Sequence, residues 1–155
     1  MQVMIINRVK NENELKICLE IRKKVFVTEQ NVDKNNEIDD FDFANDTIHL
    51  ISYTNNIPSG TGRMMINKEE NSCFGQIGRM AILKDFRKQG IGRELMVEFH
   101  KIAENLKLDS ITLHAQTHAE KFYSKLGYVS SGDIFLDENI DHIRMDKYFG
   151  KTESE

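Results

Sequence analysis

A change in hydrophobic period between residues 73 and 116 restricts the fold of this chain more than any other feature of its sequence. Cys73–Leu83 is typical of a strand, and Ser110–Gln116 alternates between apolar and polar residues as a strand does. Between them, apolar residues lie four, four, three and four positions apart, which is one face of a helix: Ile91, Leu95, Phe99, Ile102 and Leu106. This order predicts a βαβ unit with a parallel strand pair and a right-handed crossover.

The residues before this unit predict one helix and several strands. Asn11 or Asn13 is expected to cap a helix that includes Ile17–Val25 and runs on, or restarts, through Phe26–Gln30. The polar segment 31–45 is expected to be a loop with short helical turns. Three segments are predicted to be strands, the last two joined by a turn at Asn55-Asn56: Met1–Val9, Thr47–Thr54 and Ile57–Asn67.

The residues after the unit predict one more helix and two more strands. The helix carries Phe122, Tyr123 and Leu126 and ends near Gly127. The last strands, Tyr128–Ser131 and Asp141–Lys147, are expected to be joined by the polar connection Gly132–Ile140. The complete order is β-α-β-β-β-α-β-α-β-β. It predicts an α/β fold with helices on both faces of the sheet. The sheet is expected to be mixed, with parallel and antiparallel strand pairs, as in α+β proteins. We expect one domain, residues 1–150, followed by a frayed tail at 151–155.

Charge and cysteine content exclude several kinds of protein. The formal net charge of -4 disfavours a nucleic-acid binder, which would show a basic face. The first apolar run is too short for a signal peptide, and no run is long enough for a membrane span, so we expect a cytoplasmic protein with no membrane partner. Cys18 and Cys73 lie outside any zinc-ligand spacing, and Cys18 falls on an apolar helix face, so we expect a core thiol and no metal.

The segment from Arg87 to Arg93 carries the strongest functional signal. It joins the end of a strand to the start of a helix, where unpaired N–H groups and the helix dipole favour a phosphate. Arg87, Lys88 and Arg93 add positive charge. A nucleotide P-loop is disfavoured because Gly92 is followed by Arg-Glu, and a dinucleotide fingerprint because position 95 is leucine. The remaining alternative is a basic surface turn with a glycine needed for packing.

The spacing Arg87-x-x-Gly90-x-Gly92, after a strand and before a helix, resembles the pyrophosphate loop of the GCN5-related N-acetyltransferases (GNAT). Ala119-x-x-Phe122-Tyr123-x-x-x-Gly127-Tyr128 is similar to the C-terminal motif of that family. Four further segments resemble its ElaA-like branch: Val25-Phe26-Val27-x-Glu29-Gln30, Ile77-Gly78-Arg79, Ala115-Gln116-x-His118 and His142-Ile143-x-Met145. The resemblance covers about residues 21–147.

The resemblance implies that the chain takes acetyl-CoA as acetyl donor and transfers the acetyl group directly to an amine. It implies that the backbone of Met80, Ala81 and Ile82 pairs with the pantetheine arm and polarises the thioester carbonyl. It also implies a cofactor-binding set beyond that strand: Arg87, Lys88, Gln89, Gly90, Ile91, Gly92, Arg93, Gln116 and Phe122.

The resemblance assigns Tyr123 as the general acid that protonates the departing thiolate. Without the resemblance, the sequence indicates that Tyr123 is a core residue on an apolar stripe with Phe122 and Leu126. The general base is left open among three residues, with solvent as the alternative: Glu29, His118 and His142.

The acceptor site is expected to follow the first helix. Its acidic residues would attract a cationic amine, although a solvated loop is the alternative reading of most of them. The candidate substrate-binding residues are Glu29, Gln30, Asp40, Asp42 and Arg63. The acceptor can be a small amine, an amino sugar, a peptide N-terminus or a lysine, and a homodimer through the last strands is open by analogy.

The sequence departs from the family pattern at two positions, and two functions other than acetyl transfer are alternatives. Gln116 stands where the family often has Asn, and Tyr128 where it usually has Phe. A non-catalytic acyl-CoA sensor would keep the loop without the chemistry, and an unrelated phosphate-binding module would give no reason for the Tyr123 motif.

Overall fold

The computed structural model describes residues 2–150, so the tail predicted at 151–155 lies outside the described residues. The strands are β1 (Met4–Arg8), β2 (Ile48–Thr54), β3 (Ile57–Glu69), β4 (Ser72–Ile82), β5 (Ser110–Gln116), β6 (Val129–Asp137) and β7 (Ile140–Tyr148). The α-helices are α1 (Glu12–Arg22), α2 (Lys34–Glu37), α3 (Ile91–Asn105) and α4 (Glu120–Ser124). A π-helical segment (Lys23–Glu29) continues α1, and three 3₁₀ turns cover Asp40–Phe43, Lys84–Phe86 and Thr117–Ala119. The predicted order of strands and main helices is confirmed.

The strands form one mixed sheet in the order β1-β2-β3-β4-β5-β7-β6. β4 and β5 pair in parallel over Phe74–Ile77, which confirms the parallel pair of the predicted βαβ unit. The described chain divides into two compact units, residues 2–65 with 79–101 and residues 66–78 with 102–150, and each is described by itself below.

The first unit begins with a helix start that the sequence predicted. The side chain of Asn11 accepts a hydrogen bond from the backbone N–H of Glu14, so Asn11 is the N-cap of α1. Beyond it, Ile21 and Val25 pack with Ala81 of β4 in a buried cluster, which fixes the helix beside that strand. The β2–β3 hairpin turns at Asn55 and Asn56, whose φ angles of 50° and 67° are left-handed, as a two-residue turn requires.

The second unit corrects one prediction. The segment Gly132–Ile140, expected to be a polar connection, is mostly strand, and β6 and β7 are joined by only two residues, Glu138 and Asn139. Both have left-handed φ angles, 52° and 62°, in a tight hairpin turn. The prediction was wrong because Glu138 gives no turn signal and because an edge strand can be polar along most of its length.

Among residues 2–150, no helix has both the length and the apolar character needed to cross a membrane.

Candidate active site

The loop before α3 has the backbone geometry of an anion site. Lys88 and Gly90 have φ angles of 64° and 83°, so two left-handed residues flank Gln89. Backbone turns of this kind form concave sets of N–H groups that bind anions. The first intrahelical hydrogen bond of α3 runs from Glu94 N–H to the carbonyl of Gly90, which leaves the N–H groups of the preceding residues without helical partners. A Cβ at Gly90 would meet open space, so room is not the reason for glycine here. The left-handed φ angle is the reason, because glycine adopts it without strain.

Arg87 binds two neighbouring groups in the first unit. Its Nε donates a 2.9 Å hydrogen bond to the carbonyl of Ile82. Its Nη2 lies 2.9 Å from each carboxylate oxygen of Glu29. The guanidinium group therefore bridges the last residue of β4 and the last residue of the π-helical segment. Both oxygens of the carboxylate are occupied by Arg87, which weighs against Glu29 as the general base.

Met80, Ala81 and Ile82 form the end of β4 in the first unit. The parallel ladder of β4 covers Phe74–Ile77 and does not extend to these three residues. Arg79, just before them, has a left-handed φ of 54°. Ala81 is 2% exposed and belongs to the core cluster, while Met80 and Ile82 are half-buried.

Tyr123 lies in α4 of the second unit between two aromatic rings. Its ring meets that of Phe122 edge to face at 4.9 Å and that of Tyr128 at 5.9 Å. Burial raises the pKa of Tyr123 to about 12, so the phenol carries its proton at neutral pH. Its hydroxyl forms no hydrogen bond with any residue in the described range 2–150. The phenol thus holds a proton that no group of the described residues binds.

His142 lies on β7 with its ring orientation fixed. Its Nδ1 is 2.7 Å from the carbonyl of Ile140, so Nδ1 carries the hydrogen and Nε2 carries the lone pair in the neutral ring. The side chain is 9% exposed, and within residues 2–150 its Nε2 has no hydrogen-bond partner. Across the strands it lies opposite Gln116 on β5 and Phe135 on β6. A fixed tautomer with an unused nitrogen is the arrangement that a general base needs.

The rings of Phe135 and His114 complete this cluster and were not predicted. Phe135 stacks on His142 with centroids 5.9 Å apart and meets His114 edge to face at 5.1 Å. Burial lowers the pKa of His114, while Asp137 and Asp146 oppose the shift. His118, by contrast, is exposed in the turn before α4 and is not held by a partner in residues 2–150.

The acidic segment after α1 contains a buried ion-pair network rather than a set of solvated carboxylates. Arg22 is 1% exposed and binds Glu37 at 2.8 Å and Asp42 at 2.7 Å. Arg63 binds Asp42 at 2.9 Å and Asp39 at 2.8 Å. Burial opposes ionisation of Asp42, yet hydrogen bonds from the arginines prevail and lower its pKa to about 2.

This network separates the residues considered for the acceptor. Asp42 has both oxygens engaged by Arg22 and one of them also by Arg63, so we assign it a structural role. Asp40 is exposed and makes no ion pair within the described residues. It lies beside Phe41 and Phe43, which are 55% and 63% exposed. Arg79 also belongs to the network, at 3.1 Å from Glu37 and 3.4 Å from Asp39. Arg22 carried no signal in the sequence, and Arg79 was noted only as part of an ElaA-like segment.

Comparison with known proteins identifies the class. Residues 11–149 match the family described as the acetyltransferase (GNAT) domain. The chain therefore belongs to the GNAT family, and its mixed sheet has the acyl-CoA N-acyltransferase fold, as the sequence predicted. A crystal structure of an acyl-CoA N-acyltransferase from Pseudomonas aeruginosa has a TM-score of 0.81 and 29% identity, covering 95% of this chain and 99% of that one.

Individual relatives place the chain near the ElaA branch. The uncharacterized N-acetyltransferase YjcF of Bacillus subtilis is 37% identical over 139 residues, which are 89% of this chain and 95% of YjcF. ElaA of Escherichia coli is 26% identical over 134 residues, 86% of each chain. The ElaA crystal structure has a TM-score of 0.83, with coverage of 94% of this chain and 99% of that one. Acyl transfer is the chemistry of this family, and the predicted ElaA-like branch is confirmed.

Proposed function

We propose that this protein transfers the acetyl group of acetyl-CoA directly to an amine. The observation that carries the proposal is the loop before α3, where Lys88 and Gly90 hold left-handed backbone conformations next to the unpaired N–H groups of a helix start. These groups suit a pyrophosphate, and Lys88 and Arg93 add positive charge. Membership of the GNAT family supports coenzyme A as the ligand that carries this pyrophosphate.

The strand end from Met80 to Ile82 is proposed to pair with the pantetheine arm. Its position beyond the parallel ladder supports this role, because extended backbone at that point has N–H and C=O groups to offer an extended ligand. One of these N–H groups would donate to the thioester carbonyl oxygen as negative charge develops there. Gln116 and Phe122 stay in the proposed coenzyme A set.

Tyr123 is proposed to give its phenolic proton to the departing thiolate. The raised pKa keeps that proton on the phenol throughout the neutral range. The thiolate receives it as the carbon–sulfur bond breaks, and solvent restores it. The absence of a competing hydrogen bond to the hydroxyl among residues 2–150 supports this role.

His142 is proposed to take the proton that the attacking amine loses. Of the three candidate bases, Glu29 is paired with Arg87, and His118 is exposed and has no partner among residues 2–150 that orients its ring. His142 alone has its Nδ1–H fixed by a carbonyl, which directs the lone pair to Nε2. Nε2 takes one proton from the ammonium form of the acceptor before attack, which frees the lone pair of the nitrogen. The second proton leaves the nitrogen to solvent as the amide forms.

Asp40 is proposed to attract a cationic acceptor. Gln30 stays in the proposed substrate-binding set, and Arg63 on β3 holds the loop through Asp39 and Asp42. The free carboxylate of Asp40 beside exposed Phe41 and Phe43 suits an amine attached to an apolar group. Asp42 contributes by keeping this loop folded.

The test is a calorimetric titration with acetyl-CoA, and with ADP as the comparison. Selective binding of acetyl-CoA, lost in a Lys88→Ala/Arg93→Ala double variant, is the expected result. Equal binding of ADP would indicate a general phosphate module. Binding of acetyl-CoA without turnover on any amine would favour a sensor.

A further inference from the structure

Glu29 and Arg87 lie 58 residues apart in sequence and form one bridge in the first unit. The Nε–Nη2 edge of the guanidinium group serves two acceptors, the carbonyl of Ile82 and the carboxylate of Glu29, all at 2.9 Å. Both side chains are partly shielded, with 39% and 34% of their surface exposed. A guanidinium group that spans two elements through one edge has little rotational freedom left.

The helix end that carries Glu29 is itself held firmly. The π-helical segment continues α1, and its residue Val25 packs with Ile21 and Ala81 in the buried cluster. The N–H groups of Gln30 and Val32 close the segment by donating to the carbonyls of Val25 and Phe26. Glu29 is therefore a fixed anchor and not a side chain on a loose end.

The residue that follows Arg87 has a strained backbone. Lys88 has a φ of 64°, a conformation that side-chain-bearing residues adopt only when their surroundings hold them there. The backbone N–H of Arg87 is 3.4 Å from the carbonyl of Lys84, a long hydrogen bond that restrains this corner only weakly. The Arg87 side chain supplies the restraint at the residue where the anion-binding turn begins.

We propose that Glu29 is a positioning residue of the coenzyme A site: through Arg87 it holds the Lys88–Gly90 turn in its anion-binding conformation. This deepens the proposed function and rests on it. It places Glu29 on the cofactor side of the reaction and not on the acceptor side. A loop already held in its bound conformation binds its ligand more tightly, because less ordering is needed on binding.

The experiment measures coenzyme A affinity by calorimetry in four variants and in the unsubstituted protein. Glu29→Gln, Arg87→Ala and their combination break the bridge, and Glu20→Gln is the control, an exposed carboxylate on α1 without an ion pair in the described residues. We expect Glu29→Gln to weaken binding by about threefold to tenfold, the range of a partly shielded ion pair. The same substitution should have no further effect in the Arg87→Ala background, and Glu20→Gln should bind as the unsubstituted protein does.

A kinetic comparison separates positioning from catalysis. In Glu29→Gln the KM for acetyl-CoA should rise by the same factor as the dissociation constant, while kcat at saturating acetyl-CoA and the KM for the amine stay unchanged. Unchanged coenzyme A affinity, or a fall in kcat with that affinity intact, would overturn the inference and return Glu29 to the acceptor side. Failure of the unsubstituted protein to bind coenzyme A would instead overturn the proposed function, and this inference with it. Thermal melting of each variant establishes that it is folded.

Discussion

Nη1 of Arg22 lies 2.7 Å from Oδ1 of Asp42, with the two side chains 1% and 0% exposed. Removing one member of a buried pair leaves the other charge without a partner, which is far more costly than losing an exposed pair. We predict that Arg22→Met lowers the free energy of unfolding by about 3–5 kcal/mol. Urea denaturation measures this, with Lys23→Met, an exposed neighbour, as the control. A loss below about 1 kcal/mol would show that the network contributes little.

Asp42 makes the stability of this network depend on pH. Its pKa falls from 3.8 to about 2 on folding, so the folded state favours the ionised carboxylate. The resulting stability is fully present above pH 3.8 and is lost as the pH falls through 2. The loss attributable to Asp42 is about 2 kcal/mol.

Denaturation curves at a series of acidic pH values test this assignment. The unsubstituted protein should lose stability in that interval, and Asp42→Asn should lose less stability there while being less stable at neutral pH. An equal slope in both proteins would assign the acid sensitivity to other carboxylates.

Tyr123 is predicted to matter for turnover and not for binding. Tyr123→Phe keeps the ring contacts with Phe122 and Tyr128 and removes only the proton donor. We expect kcat to fall by about 100-fold, a usual contribution of general acid catalysis, with acetyl-CoA affinity unchanged. The control is Tyr148→Phe, since Tyr148 is 74% exposed. Full activity in Tyr123→Phe at every pH would exclude the phenol as proton donor.

His142 is predicted to be the base, and pH–rate profiles distinguish it from His118. A base must be unprotonated, so kcat/KM should fall as the pH is lowered through the pKa of the base. His142→Ala should lose about 100-fold in rate, and its acid limb should disappear, while His118→Ala keeps both rate and profile. The opposite result would transfer the role to His118. Unchanged profiles in both variants would indicate solvent as the acceptor of the proton.

Phe135 provides a separate test of how His142 is held. Phe135→Leu removes the ring that stacks on the imidazole but leaves the hydrogen bond from Nδ1 to Ile140. We predict a smaller loss in kcat, about threefold to tenfold, because stacked aromatic pairs contribute about 1 kcal/mol. A loss as large as that of His142→Ala would mean that stacking, and not the hydrogen bond, sets the ring orientation.

The main elements could be predicted because local sequence determines them. The period of α3, the cap at Asn11 and the Asn55-Asn56 turn each depend on a few neighbouring residues. The end of β6 could not be predicted in the same way. Its turn places Glu138 in a left-handed conformation that the hairpin, and not the residue, imposes.

The partners of individual side chains could not be predicted from the neighbouring sequence. Glu37 and Asp42 look like residues of a solvated loop, and only the fold shows that Arg22 lies between them. The same holds for Phe135 and His142, whose stacking depends on the register of β6 with β7. Charge patterns describe surfaces well, whereas a buried ion pair depends on contacts between distant segments of the chain.

The central claim is acetyl transfer from acetyl-CoA to an amine, and the most direct test is thiol release from acetyl-CoA in the presence of a panel of amines. A free-thiol reagent follows the reaction, with a sample lacking amine as the blank. We predict release that depends on the amine, is fastest with cationic amines carrying an apolar group, and is greatly reduced in Tyr123→Phe. Release at the blank rate with every amine, together with no detectable binding of acetyl-CoA, would contradict the claim.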